Sequence, residues 1–322
     1  MSAPLRADGL RILFWHTDMR PEGPGLLLRD LLRGTPRTEG IARVIAAARA
    51  NIVILAGLDF DAEHRTLHAL ADRIAGANGP AYAHIAAPRS NSGLPTGLDL
   101  NENGRTGEPA DAQGYGRYEG QSSLAILSQW PLRGITDHNA LLWSDLPGSL
   151  FIDAAGRTGP EATAHGLQRL SSTTHAEAIV DTGDAALTLL IFQAAPPVFD
   201  GPEDRNGRRN HDEIAFWRHR LAGLFGPPPD PPFVIAGVAN LDPEHGEGRK
   251  DAIRDLLAHS AVQDPPDLAG PTADFGTPGA GRLRTDYLLP SAGLTLRSAK
   301  LSEIDPALSR HAPLLLELAW PP

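Results

Sequence analysis

Apolar residues fall into short runs of strand length, separated by amphipathic stretches and by long loops rich in Gly, Pro, Asn and Asp. LRILFW (Leu10 to Trp15) predicts a buried strand, and NIVILAGL (Asn51 to Leu58) a second. Helices are expected at about Gly25 to Leu32, Gly40 to Ala50 and Ala62 to Ala75. Further strands are expected near Ala81 to Ala86, in SSLAILSQ (Ser122 to Gln129), and in AEAIVDT and ALTLLIFQ, paired across a turn at Gly183. Ile214, Trp217, Leu221 and Leu224 recur at helical spacing and predict one buried face on a helix over Asn210 to Leu224. The strand FVIAGV, a helix over Lys250 to Leu257, and the strands TDYLLP and APLLLELAW complete the chain. No repeat emerges, and the Pro-rich turn Pro227 to Pro232 is too short for an interdomain linker. The pattern predicts one α+β domain spanning 1–322.

Composition narrows the function. With 322 residues and 41% hydrophobic content, the chain can bury a large core. A formal charge of -10 argues against nonspecific attraction to nucleic acid, which needs clustered Lys and Arg, but leaves room for a small phosphate-bearing ligand. The absence of cysteine excludes disulfides, thiolate metal sites and cysteine nucleophiles. No apolar run approaches a membrane span, and MSAPLRADGLRILFWHTDM lacks the pattern of a leader peptide. A cytoplasmic protein is expected as written, and a periplasmic or secreted one if a leader was removed.

Two strings near the C-terminus, FVIAGVANLDP (Phe233 to Pro243) and LSRHAPLLLEL (Leu308 to Leu318), resemble the Gly-Asp-x-Asn and Ser-Asp-His segments of the endonuclease/exonuclease/phosphatase family. The loops PGLLLRDLL, SGLPTGLDLNENGRTG, GYGRYEGQSSLAILS, LWSDLPGSL, RLSSTTH and PPVFDGPEDRNGRRNHDEI are similar to a bacterial subgroup of it. The resemblance covers essentially the whole chain. It implies a four-layer α/β/β/α sandwich with an active site at one edge of two packed sheets, and phosphoester hydrolysis with a divalent metal ion.

The positions that carry this chemistry in the family are altered here. The resemblance implies Asn at the end of the first strand, where this chain has His16; a metal-binding Glu at the end of the second, where it has Gly57; and a catalytic His before PPVFDG, where it has Gln193. Val238 and Arg310 replace the acids of the two C-terminal segments, while Asn240 and His311 remain. The expectation is a pseudoenzyme whose cleft has shifted toward positive charge, with His311 deprived of an acidic neighbour. Arg310 has two readings: it binds an anionic ligand together with His16, Asn240 and His311, or it pairs with Asp286 or another acid and seals the old site. Asp59 offers a displaced carboxylate, and Asp286 stands where the resemblance implies a strand acid; either would serve a hydrolase with relocated ligands, which would use Mg²⁺ or Mn²⁺.

Other residues carry weaker signals. His175 faces the cleft or is a structural histidine. Arg208, Arg209 and His211 form a phosphate-binding rim or a self-paired loop, with Asn210 or Asp212 as a helix cap. Asp99, Asn101, Asn103 and Gly104 follow the spacing of a calcium loop, although Ala110 stands where a bidentate Glu is expected and Asp111 would have to substitute. The alternative is a loop held by its own Asn and Asp side chains. Three functions remain open: a binding protein for an anionic ligand or protein partner, a relocated hydrolase, and a structural component of an assembly.

Overall fold

The computed structural model describes residues 9–322. In chain order the elements are β1 (Gly9–Met19), α1 (Leu26–Arg33), α2 (Pro36–Ala48), β2 (Ile52–Leu58), α3 (Arg65–Gly76), β3 (His84–Ala86), β4 (Ser123–Ser128), β5 (Leu132–Asp137), β6 (Thr174–Asp181) and β7 (Ala186–Gln193). They continue with α4 (Arg205–Leu221), β8 (Phe233–Val238), α5 (Asp251–Leu257), β9 (Ala273–Asp274), β10 (Arg282–Leu283), β11 (Asp286–Pro290), β12 (Leu296–Leu301) and β13 (Leu314–Ala319). One sheet has the order β12-β13-β1-β2-β4-β3, a second β11-β8-β7-β6-β5, and β9 and β10 pair by themselves.

Both faces of both sheets are covered, so the central strands read as continuous apolar runs. Alternate residues divide between the faces. Leu10, Ile12 and Phe14 of β1, with Ile52 and Ile54 of β2, meet Leu187, Leu189 and Ile191 of β7 and Val234 and Ala236 of β8 between the sheets. The other faces of β1 and β2, carrying Leu13, Trp15, Val53 and Leu55, pack against Leu31, Ile41, Ile45 and Leu70 of the first three helices. Leu190, Phe192, Ile235 and Leu289 pack against Ile214, Trp217 and Ile253 of α4 and α5. Three apolar interfaces therefore separate four layers, the α/β/β/α sandwich expected from the resemblance.

The long α4 departs from expectation at both ends. It starts at Arg205, so Asn210 and Asp212 lie inside it and are buried rather than capping it. Asn210 donates from Nδ2 to Ala195 O (2.6 Å) and Ala239 O (2.7 Å), and Asp212 accepts from Trp143 Nε1 (2.6 Å) and Leu150 N (2.7 Å). These side chains satisfy loop backbone rather than a helix end. Leu224 lies beyond the helix and is exposed. The strands β5 and β12 close opposite sheets as edges and are largely exposed, so neither carries the apolar alternation that would reveal it.

Candidate functional site

The inward stripes of β1, β7, β8 and β11 each carry a polar or smaller residue at the same end, and these residues gather at one edge of the sandwich. In β1 the series Leu10, Ile12, Phe14 ends in His16; in β7 Leu187, Leu189, Ile191 ends in Gln193; and in β11 Leu288 is preceded by Asp286. Val238 ends the stripe of β8, lying opposite both Gln193 and Asp286 in the strand register. Gly57 sits at a register shift near the end of β2 with φ 71°. A Cβ there would be 2.7 Å from Cε1 and Nε2 of His16, so the imidazole occupies the space a side chain at residue 57 would need.

His311 is not deprived of an acid, contrary to the expectation from its altered neighbour Arg310. Its Nδ1 lies 2.8 Å from Asp286 Oδ2, an oxygen that also accepts from the hydroxyls of Thr272 (2.8 Å) and Thr285 (3.0 Å). Asp286 Oδ1 is buried with no hydrogen-bond partner. The pair comes from β11 and the loop before β13, 25 residues apart in sequence, which is why reading along one segment missed it. The Ser309 hydroxyl donates to His16 O (2.7 Å) and accepts from His311 N (3.0 Å), and Trp15 Nε1 donates to His311 O (2.8 Å). The two imidazoles are thereby held with ring centroids 4.1 Å apart, tilted by 41°.

Arg310 does not pair with Asp286. It donates from Nε to Asp18 Oδ2 (3.2 Å), and Arg20 reaches the other oxygen of the same carboxylate (3.0 Å). Positive charge at this edge is thus partly neutralised by Asp18, which lies within β1 beyond the Leu10 to Trp15 run that marks the strand in the sequence. Burial opposes ionisation of Asp18, but His16, Arg20, His311 and Arg310 together hold its carboxyl well below the usual range. Burial, then His311 and Arg20, push His16 far below its ordinary value against the opposing pull of Asp18. Asn240, with φ 53°, turns its amide nitrogen to Ala194 O (2.8 Å), and Gln193 accepts from the Ser122 hydroxyl (3.4 Å).

The remaining predicted residues lie apart from this cluster. His175 is buried among Phe192, Phe216 and Trp217, with Nδ1 at Ser171 Oγ (3.0 Å) and Nε2 at Glu213 O (2.9 Å). Burial depresses its pKa to about 3, and it is a structural histidine rather than a group facing the cleft. Arg209 is equally structural, donating to the carbonyls of Leu170, Gln113 and Arg169. His211 bridges Asp212 and Asp251. Asp59 accepts from the Tyr118 hydroxyl (2.6 Å) and stands outside the cluster of His16, Asp18 and His311, the sole group of potential metal ligands among the described residues. In the loop from 99 to 111, Asp99 accepts from the amides of Asn103 and Gly104, Asn101 from that of Asn103, and Asn103 from that of Arg105. Asp111 accepts from the amides of Leu100 and Glu108. The loop's own amides use these oxygens.

The profile of the Endonuclease/Exonuclease/phosphatase family matches residues 22–311, and the chain belongs to that family, whose members generally hydrolyse phosphoester bonds. Among solved structures it is similar to an endonuclease/exonuclease/phosphatase from Beutenbergia cavernae, with 18% identity and a TM-score of 0.59 over 97% of this chain and 71% of the other. It is also similar to a family protein from Leptotrichia buccalis (12% identity, TM-score 0.56, 96% and 99% covered) and to humanised D. rerio TDP2 (13% identity, TM-score 0.56, 97% and 99% covered). No curated protein is matched by the sequence.

The family implies a hard divalent cation, and the residues at this edge do not fit one. Mg²⁺ needs a near-octahedral set of oxygens. Gly57 has no side chain and its place is filled by an imidazole, while Val238 is a fully buried hydrocarbon. Oδ2 of Asp286 is taken by His311 and two threonines, and its unpartnered Oδ1 is a single oxygen where a near-octahedral set is needed.

Proposed function

We propose that this family member binds a phosphate-bearing ligand at the strand-end cleft and has given up hydrolysis that depends on Mg²⁺ or Mn²⁺. The observation that carries this reading is the state of Arg310. Its guanidinium is half exposed, contacts Asp18 only through Nε, and makes no hydrogen bond from its terminal nitrogens to the described residues. A planar fork with two open terminal nitrogens, next to His311 and Arg20, suits a phosphate oxygen pair.

Phosphate binding to the metal-free full chain, followed by calorimetry, tests it. Arg310→Gln is expected to weaken binding by about 10- to 100-fold, the range for losing a charge-assisted contact. Bis(4-nitrophenyl) phosphate and 4-nitrophenyl phosphate are expected to remain intact with Mg²⁺, Mn²⁺ or Ca²⁺. Binding unaffected by Arg310→Gln would sink the proposal.

A second reading, a working hydrolase with relocated ligands, is favoured by the intact Asp286–His311 pair, which holds an imidazole as a proton donor or acceptor. Turnover with an added divalent ion that vanishes in His311→Ala would decide for it.

A further inference from the structure

We propose that His16, Asp18 and His311 form a site for one nitrogen-preferring divalent cation, Zn²⁺ before Mg²⁺, made from positions other than the missing acids. Each residue offers a ligand atom within 4.8 Å of the other two. A tetrahedral Zn²⁺ holds His nitrogens and carboxylate oxygens at about 2.0–2.2 Å, so its ligands sit roughly 3.4 Å from one another.

Three observations mark these side chains as donors. First, Nδ1 of His16 is buried without a hydrogen-bond partner and lies 3.8 Å from Asp18 Oδ1, too far to bond. An unsatisfied buried nitrogen is destabilising, and a shared cation would satisfy it. Second, His311 spends Nδ1 on Asp286, leaving Nε2 as its ligating atom, and two threonine hydroxyls lock that carboxylate. A carboxylate behind an imidazole fixes tautomer and orientation in the manner of histidines that ligate metals. Third, the missing side chain at Gly57 leaves room for His16 to fold in beside His311, with ring centroids 4.1 Å apart.

The donor set decides the ion. Two imidazoles and one carboxylate suit Zn²⁺ and its transition-metal neighbours, whereas Mg²⁺ prefers oxygen. Arg20 and Arg310 also contact Asp18, but both are more than a third exposed and each carboxylate oxygen keeps a second lone pair. Their charges oppose a cation, so their removal should strengthen it. This separates the site from phosphate binding: Arg310→Gln should weaken phosphate and tighten Zn²⁺.

The test uses the untagged full chain, stripped with a chelator and titrated with Zn²⁺ alone against a chromophoric competitor, with Co²⁺ as a spectroscopic reporter. One ion per chain is expected, undisturbed by a large excess of Mg²⁺. His16→Phe and His311→Phe keep a ring without a donor, and Asp18→Asn keeps its volume; each is expected to lose at least about 100-fold in affinity. Asp286→Asn, acting through His311, is expected to lose about 10- to 100-fold. His245→Ala, at an exposed histidine elsewhere, is expected to change nothing. Melting curves without metal establish that the variants fold, and any one of the three ligand variants that folds suffices. A folded, stripped protein that takes up no stoichiometric Zn²⁺, or a folded His16→Phe that binds as tightly as the parent, overturns the proposal.

Discussion

The imidazole of His16 lies where a side chain on residue 57 would have to stand: a Cβ on Gly57 would approach Cε1 and Nε2 of that ring to 2.7 Å. Residues 16 and 57 therefore share one space. Glycine tolerates the positive φ of 71° and leaves the volume that the larger ring at residue 16 takes up.

Restoring the acid alone should fail. Gly57→Glu places a side chain at positive φ, costing about 1–2 kcal/mol, and drives it into His16, adding about 1–3 kcal/mol of overpacking. Pairing it with His16→Asn removes the overlap but not the backbone strain. Denaturant unfolding of both single variants and the double variant should give a favourable coupling of about 1 kcal/mol or more; simple additivity would mean that the two positions do not share this space.

The Asp286–His311 contact predicts a tautomer. With Nδ1–H donating to the carboxylate, Nε2 of His311 carries no proton in the neutral, metal-free protein. Nitrogen NMR of the imidazole should show this form, and Asp286→Asn should abolish the preference. An Nε2–H tautomer in the parent protein would contradict the assigned contact.

How far the sequence could be read followed from how local each signal was. The buried strands carry unbroken apolar runs because helices or the other sheet cover both faces, so β1, β2, β7, β8 and β13 were visible as strings. The edges β5 and β12 carry exposed side chains and were not. At the site, Gly57, Val238 and Arg310 could be found because each interrupts a recognisable segment. The partnership of His311 with Asp286 joins separate segments, and Asp18 acquires its meaning only when β1 and the loop before β13 come together. Arg208, Arg209 and His211 looked alike in sequence, but packing buried Arg209 against three carbonyls.

Arg209 should accordingly behave as a structural residue. Burial lowers its pKa to about 10, but it remains charged and sits near Glu213, which accepts from the amides of Ser172 and Ala195 (both 2.6 Å). Arg209→Met removes three carbonyl contacts and leaves Glu213 without its nearby charge, a loss of about 3–5 kcal/mol. Arg209→Lys should recover only part of it, since an ammonium cannot reproduce the planar fork. Unfolding curves measure both. A variant of parental stability that loses only phosphate binding would restore Arg209 to the rim.

Asp59 predicts the pH dependence of stability. Burial, opposed by the Tyr118 hydrogen bond and aided by the charge of Asp61, raises its pKa to about 7 in the folded chain from 3.8. The folded state therefore binds the proton more tightly than the unfolded state does. Its contribution is fully present below about pH 4 and is lost as pH rises through about 7. The carboxyl is buried, only 6% exposed, so the effect is expected to be on the order of a few kcal/mol. Asp59→Asn keeps an acceptor for Tyr118 and removes the ionisation, so its melting temperature should exceed that of the parent at pH 8 and converge with it at pH 4. The parent-minus-variant difference, followed by calorimetry across this range, isolates the group from every other titration in the chain. A difference that stays constant with pH would show that the carboxyl at residue 59 ionises no differently in the folded and unfolded states.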